Sequence, residues 1–310
     1  MRFAHDFIDK KLIDKKIMQK RTDLTAITHS NKQKYHDIVT EQRVGYAVKE
    51  LLYSDFVSLI KFPEFPFQLT DCQIIKAGNT AFLAKTHFQI DRKIIPVAYK
   101  RVRRKNVWKK LKSFFQTNHA LHCFRIGHEM LQAGIATPRP LAVLVPHRHQ
   151  PNKPSYLAVQ WVENAVDLET FCQHAHQEKA IAQQNAKHLA ISLGQLLGKI
   201  HSANFSHRDL KSSNILVQTT NATTNTTFET MVIDLDGAAR QSHLSVKRRC
   251  WNLSRLALDM RQEFSLSNHL RFLKAYFSES TDSPVNWKSI WKKVDKMTIE
   301  RFCKKQKQAA

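Results

Sequence analysis

The chain has 310 residues, of which 42% are hydrophobic, and it can bury a sizeable core in one two-lobed domain or in two small domains. Lys and Arg number 49 against 26 Asp and Glu, which gives a formal net charge of +23. This basic excess favours polyanionic partners, namely nucleic acid, an anionic membrane surface or a phosphorylated glycolipid. The alternative is a generally basic, soluble surface.

No apolar run approaches the ~18 residues needed to cross a bilayer, and residues 1–6 lack the apolar core of a secretory signal. The five cysteines are odd in number and show no C-x-x-C spacing. Scattered thiols of this kind are typical of a reducing compartment and argue against a disulfide framework or a zinc site. We therefore expect a cytoplasmic protein.

Residues 1–66 are expected to form a basic helical extension. Apolar pairs such as Phe7–Ile8 alternate with basic pairs such as Lys10–Lys11, a pattern typical of a basic amphipathic helix. Such a helix either lies on an anionic membrane or packs, solvated, on the first lobe. A second helix is predicted from Val48 to Ile60, and the prolines of residues 62–66 mark a boundary after it.

A hairpin is predicted next, because strand-like residues 72–76 and 81–88 flank Gly78. In protein kinases a loop at this place covers the phosphates of ATP; here the G-x-G-x-x-G pattern is missing, and Gly78 is otherwise an ordinary turn glycine. The following strand, residues 94–100, resembles the V-A-I-K strand of kinases. Its Lys100 matches the Lys that contacts nucleotide phosphates, and an anion there would offset the desolvation of the ammonium group.

A dense basic segment follows this strand. It favours a patch for an anionic acceptor or a membrane, and its alternative is the solvated start of a helix. The basic residues are Arg101, Arg103, Arg104, Lys105, Lys109, Lys110 and Lys112.

Residues 113–133 show helical periodicity and end at Gly134. Protein kinases carry at this place a helix whose Glu pairs with the strand Lys. Glu129 is the only Glu in this region and is the expected partner, although counting back from the Gly-x-x-x-Pro boundary puts Cys123 at the partner position.

Two further strands, residues 141–145 and 156–162, surround a turn rich in His and Pro. The order of elements matches the hinge that joins the two lobes of a kinase. Backbone groups of Gln160 and Val162 would then meet the edge of adenine. The alternative for the second strand is a plain buried strand.

The strongest motif is HRDLKSSN at residues 207–214, reached through a predicted helix over residues 180–203 and followed by an apolar strand. Asp209 and Asn214 stand five residues apart, as in the H-R-D-x-x-x-x-N loop of protein kinases. Phosphoryl transfer needs a carboxylate that orients or deprotonates the attacking hydroxyl and an amide oxygen that holds a phosphate-bound metal. A tight loop aims both groups at one point.

A second acidic motif supports this interpretation. The apolar strand of residues 231–233 ends in DLDG at residues 234–237, where a kinase keeps the metal-binding Asp of its D-F-G segment. Asp234 directly follows the strand and is the expected ligand, whereas Asp236 is a candidate second ligand or outer partner. The polar residues 219–227 between the motifs predict a hairpin insert.

Together these motifs resemble the lipopolysaccharide core kinases of the Kdo/WaaP type, which are bacterial proteins with a protein-kinase-like fold. The resemblance implies an α+β, two-lobed fold with a small β-rich N-terminal lobe at residues 67–162 and a reduced helical C-terminal lobe at residues 163–310. The segments that carry it are GIATPRPL at 134–141, HRDLKSSNILV at 207–217, IDLDG at 233–237 and LRFLKAY at 270–276.

The resemblance implies ATP-dependent phosphorylation of a sugar hydroxyl, on a heptose or Kdo of the lipopolysaccharide core, at the cytoplasmic face of the inner membrane. The position of Lys211 in protein kinases further suggests contact with the γ-phosphate. The residues that the family pattern carries over are Lys100 for the nucleotide phosphates, Asp209 as catalytic base, and Asn214 and Asp234 for Mg²⁺.

Two alternatives remain open. A protein Ser/Thr kinase suits H-R-D-L-K, but the chain lacks an A-P-E segment and its C-terminal lobe is short. A non-catalytic kinase-fold scaffold that binds polyanions is disfavoured, because all four candidate catalytic and nucleotide-binding residues are present. We expect an anionic glycolipid or sugar acceptor and peripheral contact with an anionic membrane, and no nucleic acid, since no RNA-binding motif is found.

Overall fold

The computed structural model describes residues 35–78, 80–103, 118–147, 150, 152–177, 179–221, 226–261, 263–279 and 286–309. The chain forms two compact units. The first comprises residues 1–124 and 139–161, and the second comprises residues 125–138 and 162–310.

Seven antiparallel strands form one sheet in the first unit, in the order β1-β2-β6-β7-β5-β4-β3. A helix, α1 (Tyr53–Lys61), follows β2, and α2 (His119–Gln132) begins in this unit. The strands are β1 (Tyr35–Val39), β2 (Arg43–Val48), β3 (Gln73–Ala77), β4 (Ala81–Ile90), β5 (Lys93–Val102), β6 (Pro140–Pro146) and β7 (Ser155–Gln160).

Both faces of the central part of this sheet are covered, whereas the edge strand β3 is exposed. Leu144 of β6 belongs to a buried cluster with Phe56 of α1, whereas its neighbour Val143 belongs to a second cluster with Phe124 of α2. Successive side chains of a strand point to opposite faces, so the two helices lie on opposite sides of the sheet. Near-continuous apolar runs such as β6 follow from burial on both faces.

The strands β1 and β2 correct the expected helical extension for residues 35–48. Every residue of β2 is buried, and β1 pairs with it along its whole length. The β-branched and aromatic residues of β2 suit a strand that is packed on both sides. The predicted helix over residues 48–60 accordingly begins later, at Tyr53. The basic amphipathic pattern of residues 1–34 lies outside the described residues.

In its described residues, the second unit combines two small sheets with five complete helices and the C-terminal part of α2. One sheet has the order β11-β10-β8 and the other pairs β12 with β9, in both cases antiparallel. No helix among the described residues is long and apolar enough to span a bilayer. The elements are β8 (Ala165–Asp167), α3 (Leu168–Gln177), α4 (Lys179–Ser202), β9 (Phe205–His207), β10 (Ile215–Asn221), β11 (Thr226–Val232), β12 (Ala238–Arg240), α5 (Val246–Asp259), α6 (Leu266–Ser278) and α7 (Trp287–Ala309).

The predicted hairpin insert is present. The strands β10 and β11 pair from Ile215 opposite Val232 to Asn221 opposite Thr226, and residues 222–225 at the tip are not described. Threonine-rich residues on both strands suit an extended ladder. The insert therefore lengthens the strand that follows the HRDLKSSN loop and the strand that leads to the DLDG segment.

Two glycines let α4 approach α6 closely. A Cβ at Gly198 would lie 2.6 Å from the backbone oxygen of Tyr276 and 2.7 Å from Cβ of Glu279. Gly194, one turn earlier, faces the same helix. This approach places His201 at the end of α4 within 2.8 Å of the Tyr276 hydroxyl. The helix that leads into the HRDLKSSN segment is therefore fixed against α6.

Candidate active site

Strand pairing brings the two motifs of the second unit together. The strand β9, which precedes the loop, pairs with β12, which follows the DLDG segment. The backbone N–H of Arg208 donates to the oxygen of Gly237 over 2.9 Å, and that of Ile233 donates to the oxygen of Asn214 over 3.0 Å. The loop and the acidic segment are thus tied at both ends.

The carboxylate of Asp209 lies among three donors. Its Oδ1 accepts from Nη2 of Arg255 at 2.5 Å, and its Oδ2 accepts from Nδ2 of Asn214 at 3.2 Å. The ammonium group of Lys211 lies 3.6 Å from the same Oδ2. The side chain remains about half exposed, at 46%. A fixed and accessible carboxylate of this kind can orient an incoming hydroxyl and accept its proton.

The side-chain amide of Asn214 is oriented by the loop itself. Its Nδ2 donates to the backbone oxygen of Asp209 over 2.8 Å as well as to the Asp209 carboxylate. Both partners are acceptors, so the nitrogen must face them and Oδ1 takes the opposite side of the amide. That oxygen is the atom suited to bind a cation.

Asp234 occupies an unusual backbone conformation, with φ 55° and ψ 57° in the left-handed region. Aspartate tolerates this region better than most residues other than glycine. The Nε2–H of His207 donates to its backbone oxygen over 3.2 Å. Burial lowers the pKa of His207, which keeps its ring neutral. The conformation is therefore held by a specific contact at the end of β11.

The segment before β6 anchors the other side of β11. The hydroxyl of Thr137 donates to the oxygen of Val232 over 2.7 Å, and the N–H of Val232 donates to the oxygen of Ala136 over 3.1 Å. The GIATPRPL segment thus holds the end of β11, which is followed by Asp234. These contacts give a structural role to a segment that the sequence identified only by its pattern.

Asn214 and Asp234 form a donor set that fits Mg²⁺. Both offer oxygen, which hard divalent cations prefer, and Mg²⁺ usually takes only one or two protein ligands beside phosphate oxygens and water. Within the described residues, no group of three or more His, Cys, Asp and Glu side chains is arranged to hold a metal by itself. The site therefore suits a metal that arrives with a nucleotide.

A buried polar network around Asn252 holds the start of the HRDLKSSN loop. Asn252 of α5 donates from Nδ2 to the oxygen of His207 over 2.9 Å, and its Oδ1 accepts from the Ser206 hydroxyl at 3.1 Å. The same oxygen lies 3.3 Å from Nε2 of His201. Burial lowers the pKa of His201 to about 3, so its ring is neutral and Nε2 is the donor to Asn252.

Three polar residues of α5 each hold a different part of the loop. Besides Asn252 and Arg255, Asp259 accepts the N–H and the hydroxyl of Ser212 at 3.0 and 3.2 Å. They stand at positions i, i+3 and i+7 and share one face of the helix. The sequence interpretation missed all three; a polar stripe at helical spacing soon after the DLDG segment was the available signal.

Gly237 lies at a close backbone approach. A Cβ there would lie 3.3 Å from the backbone nitrogen of Asp209, which is a tight contact, and 3.5 Å from that of Arg208, which is an ordinary one. The glycine that ends the DLDG segment thus lets the acidic turn lie directly on the HRDLKSSN loop without displacing it.

The expected nucleotide residues of the first unit lie on the edge and centre of its sheet. Lys100 stands on β5 opposite Leu157 of β7 and therefore shares the sheet face of the Phe124 cluster. Gly78 is exposed in the turn between β3 and β4. The backbone N–H of Gln160 donates to the oxygen of Arg139 over 2.8 Å and is already used. If Gln160 contacts adenine as expected, it does so through its backbone carbonyl.

Glu129 and Val162 belong to the second unit. Glu129 lies on α2 and forms an ion pair with Arg125 one turn earlier, at 3.6 Å. Its pairing with Lys100 stays a prediction, as does the contact of Val162 with adenine.

The basic segment after β5 is only partly described. Arg101, which we expected in an anionic-acceptor or membrane patch, instead donates to Glu64 over 2.7 Å and lies over the rings of Phe67 and Phe82. The reason is that Arg101 stands on β5, where its side chain packs against residues of the first unit. The expected patch residues 104–112 lie outside the described residues.

Comparison with known proteins identifies the family of the chain. The model of the lipopolysaccharide kinase (Kdo/WaaP) family matches residues 78–276, more than half of the chain. The solved structure "WaaP in complex with acyl carrier protein" is similar in fold, with 18% sequence identity, a TM-score of 0.54, and coverage of 83% of this chain and 98% of that chain. A search of the curated proteins finds no match.

The matched region contains the hairpin turn, Lys100, the HRDLKSSN loop and the DLDG segment. Membership of a kinase family implies that ATP is the phosphate donor. The chain therefore belongs to the lipopolysaccharide kinase (Kdo/WaaP) family and is a phosphotransferase that acts on a hydroxyl group.

Proposed function

We propose that the protein phosphorylates a sugar hydroxyl, on a heptose or Kdo of the lipopolysaccharide core or a related glycolipid, with ATP and Mg²⁺. The observation that supports this most is the loop in which Asp209 and Asn214 are hydrogen-bonded beside the turn that carries Asp234. That arrangement lies within the region matched by the family model.

In this proposal Asp209 orients the acceptor hydroxyl and takes its proton as the oxygen attacks the γ-phosphorus. Lys211, 3.6 Å from Asp209, offsets negative charge on the transferred phosphoryl group. Asn214 and Asp234 would hold Mg²⁺, which would supply positive charge to neutralise the phosphates. Most of the rate enhancement then comes from positioning and electrostatics.

The remaining nucleotide contacts in the same proposal come from Lys100, Gly78 and Gln160 of the first unit and from Glu129 and Val162 of the second. Lys100 binds the α- and β-phosphates and pairs with Glu129, and the turn at Gly78 covers the phosphates. The carbonyl of Gln160 and the backbone of Val162 meet adenine. We place the reaction at the cytoplasmic face of the inner membrane, where a chain of net charge +23 can associate with anionic lipid.

The test is transfer of labelled phosphate from ATP with Mg²⁺, offered in parallel to purified lipopolysaccharide core, to generic protein substrates and to water. The proposal predicts label on the core and a much lower rate of labelling with Asp234→Asn. Label on protein instead of core would identify a protein kinase, and hydrolysis alone would contradict both assignments.

A further inference from the structure

A cluster of arginines surrounds one aromatic ring next to Asp209. The guanidinium carbon of Arg255 lies 5.9 Å from the centroid of the Trp251 ring, and that of Arg301 lies 4.8 Å from it. Arg248 lies 5.9 Å from the same ring. Trp251, Arg248 and Arg255 lie on α5, and Arg301 lies on α7. Cation–π contacts with the Trp251 ring thus bring arginines of two helices close together.

Negative charge in this cluster is scarce. Arg255 pairs with Asp209 at 2.5 Å, and Arg301 donates from Nε to the hydroxyl of Ser254 over 3.0 Å. Over the part of the chain that the structure describes, Arg301 has no carboxylate within ion-pair distance. Burial, and then the positive charge of Arg255, lower the pKa of the Arg301 guanidinium. Two partly desolvated cations that repel each other favour the arrival of an anion.

We propose that Arg255 and Arg301 form a subsite for an anionic group of the acceptor, a phosphate or a carboxylate, beside the catalytic carboxylate. The inference rests on the proposed function in one respect, because it takes Asp209 to be the place where the acceptor hydroxyl binds. Guanidinium groups suit this task, since their planar donors bind phosphate or carboxylate oxygens in pairs.

The subsite also has a consequence for Asp209. While Arg255 is paired with Oδ1, that oxygen is occupied by a cation and is poorly placed to accept a proton. An acceptor anion between Arg255 and Arg301 gives Arg255 a second partner and loosens its hold on Oδ1. An acceptor that carries the anion therefore both binds at the cluster and frees the base.

The direct test is calorimetric binding of glucose 6-phosphate, glucuronate and glucose to the full chain, with a non-hydrolysable ATP analogue and Mg²⁺ present to fill the nucleotide site. We expect at least one of the two anionic sugars to bind, and the stronger of the two identifies the preferred anion. Glucose should bind much more weakly. Arg301→Gln should weaken the anionic sugar about tenfold, the effect of one lost charge-assisted contact.

Two further variants separate charge from packing. Arg301→Lys keeps the positive charge but loses the paired donors and the Nε contact with Ser254, so its affinity should fall between those of the wild type and Arg301→Gln. Arg261→Gln removes a neighbouring arginine that follows α5, with its guanidinium carbon 5.3 Å from the ring centroid of Phe302 on α7, and it should bind like the wild type.

Equal binding of glucose and the anionic sugars would overturn the proposal, and so would wild-type binding by Arg301→Gln or binding by Arg301→Lys as weak as that of Arg301→Gln. A failure of the wild type to phosphorylate any core sugar, with anion binding intact, would refute the proposed function and leave the anion subsite standing. Conversely, core phosphorylation with no anionic sugar bound would remove the subsite alone.

Discussion

Nη2 of Arg255 donates to Oδ1 of Asp209 over 2.5 Å, and this ion pair joins α5 to the HRDLKSSN loop. With Asn214 bound to the other oxygen, the carboxylate is held from two sides. These contacts fix the position of the carboxylate before the acceptor arrives. In the subsite proposal, Arg255 then releases Oδ1 for the proton of the acceptor, while Asn214 still orients the side chain.

Asp209→Asn should lower kcat by about a hundredfold to ten-thousandfold, because the amide cannot take the proton of the acceptor. The side chain keeps its shape and stays half exposed, so the melting temperature and the affinity for ATP should change little. Steady-state transfer to the core and calorimetric ATP binding measure the two effects. Asp295→Asn, an exposed acid on α7, is the control. Wild-type turnover in Asp209→Asn would show that the base is elsewhere.

Asp234→Asn should raise the Mg²⁺ concentration needed for half-maximal transfer and lower the maximal rate, since it removes a charged ligand. Asparagine also tolerates the left-handed backbone that Asp234 adopts, so the fold should be kept. Asp234→Ala, by contrast, should lose about 1–2 kcal/mol of stability in addition, because of backbone strain. Titrations of activity with Mg²⁺ and urea unfolding distinguish these effects. An unchanged Mg²⁺ dependence in Asp234→Asn would count against Asp234 as a ligand.

Gly198→Ala should destabilise the second unit by about 1–3 kcal/mol, because the new methyl group would overlap the backbone of α6 at Tyr276. Urea unfolding measures the change. Ala190→Gly, which removes a buried methyl group from the same helix, is expected to destabilise through a different cause and tests whether α4 is sensitive in general. A Gly198→Ala variant as stable as the wild type would show that α4 and α6 can separate without cost.

The neutral, buried His201 should make stability fall on acidification. Its folded-state pKa is lowered to about 3 by burial, below the ordinary value of 6.5. The unfolded chain therefore takes up a proton that the folded chain cannot hold, and stability that is fully present above about pH 6.5 is lost as the pH falls towards about 3. This group alone contributes a slope of up to about 1.4 kcal/mol per pH unit in that window.

The measurement is urea unfolding at several pH values between about 5 and 7.5. His201→Gln, whose amide can still reach Asn252, should show a shallower pH dependence than the wild type, although His207, whose pKa burial also lowers, keeps part of it. Parallel curves for the two proteins would mean that His201 does not carry the effect.

The sequence predicts the parts of the site that local spacing determines. Asp209 and Asn214 stand on one short loop, and Asp234 follows an apolar strand, so their chemistry can be inferred from motif and order alone. Arg255 and Asn252 are different, because their roles depend on how α5 packs against β9. Helical periodicity marks the apolar face of α5 but does not say which polar residues meet the loop.

The N-terminal error has a similar physical origin. A strand that is buried on both faces, such as β2, shows no alternation of polar and apolar residues, and its short apolar run does not distinguish a strand from a helix. The basic amphipathic pattern of residues 1–34 also favours a helix, and it does not extend into β1 and β2. Pairing with β6, a strand about a hundred residues later in the chain, decides the conformation of β2.

The most direct test of the central claim is mass spectrometry of lipopolysaccharide core after incubation with ATP, Mg²⁺ and either the wild-type protein or Asp209→Asn. The account predicts that the wild type adds the mass of one phosphate to the core, that fragmentation places it on a heptose or Kdo, and that Asp209→Asn adds far less in the same time. A core that gains no phosphate from the wild type, or gains it equally from Asp209→Asn, would contradict the account.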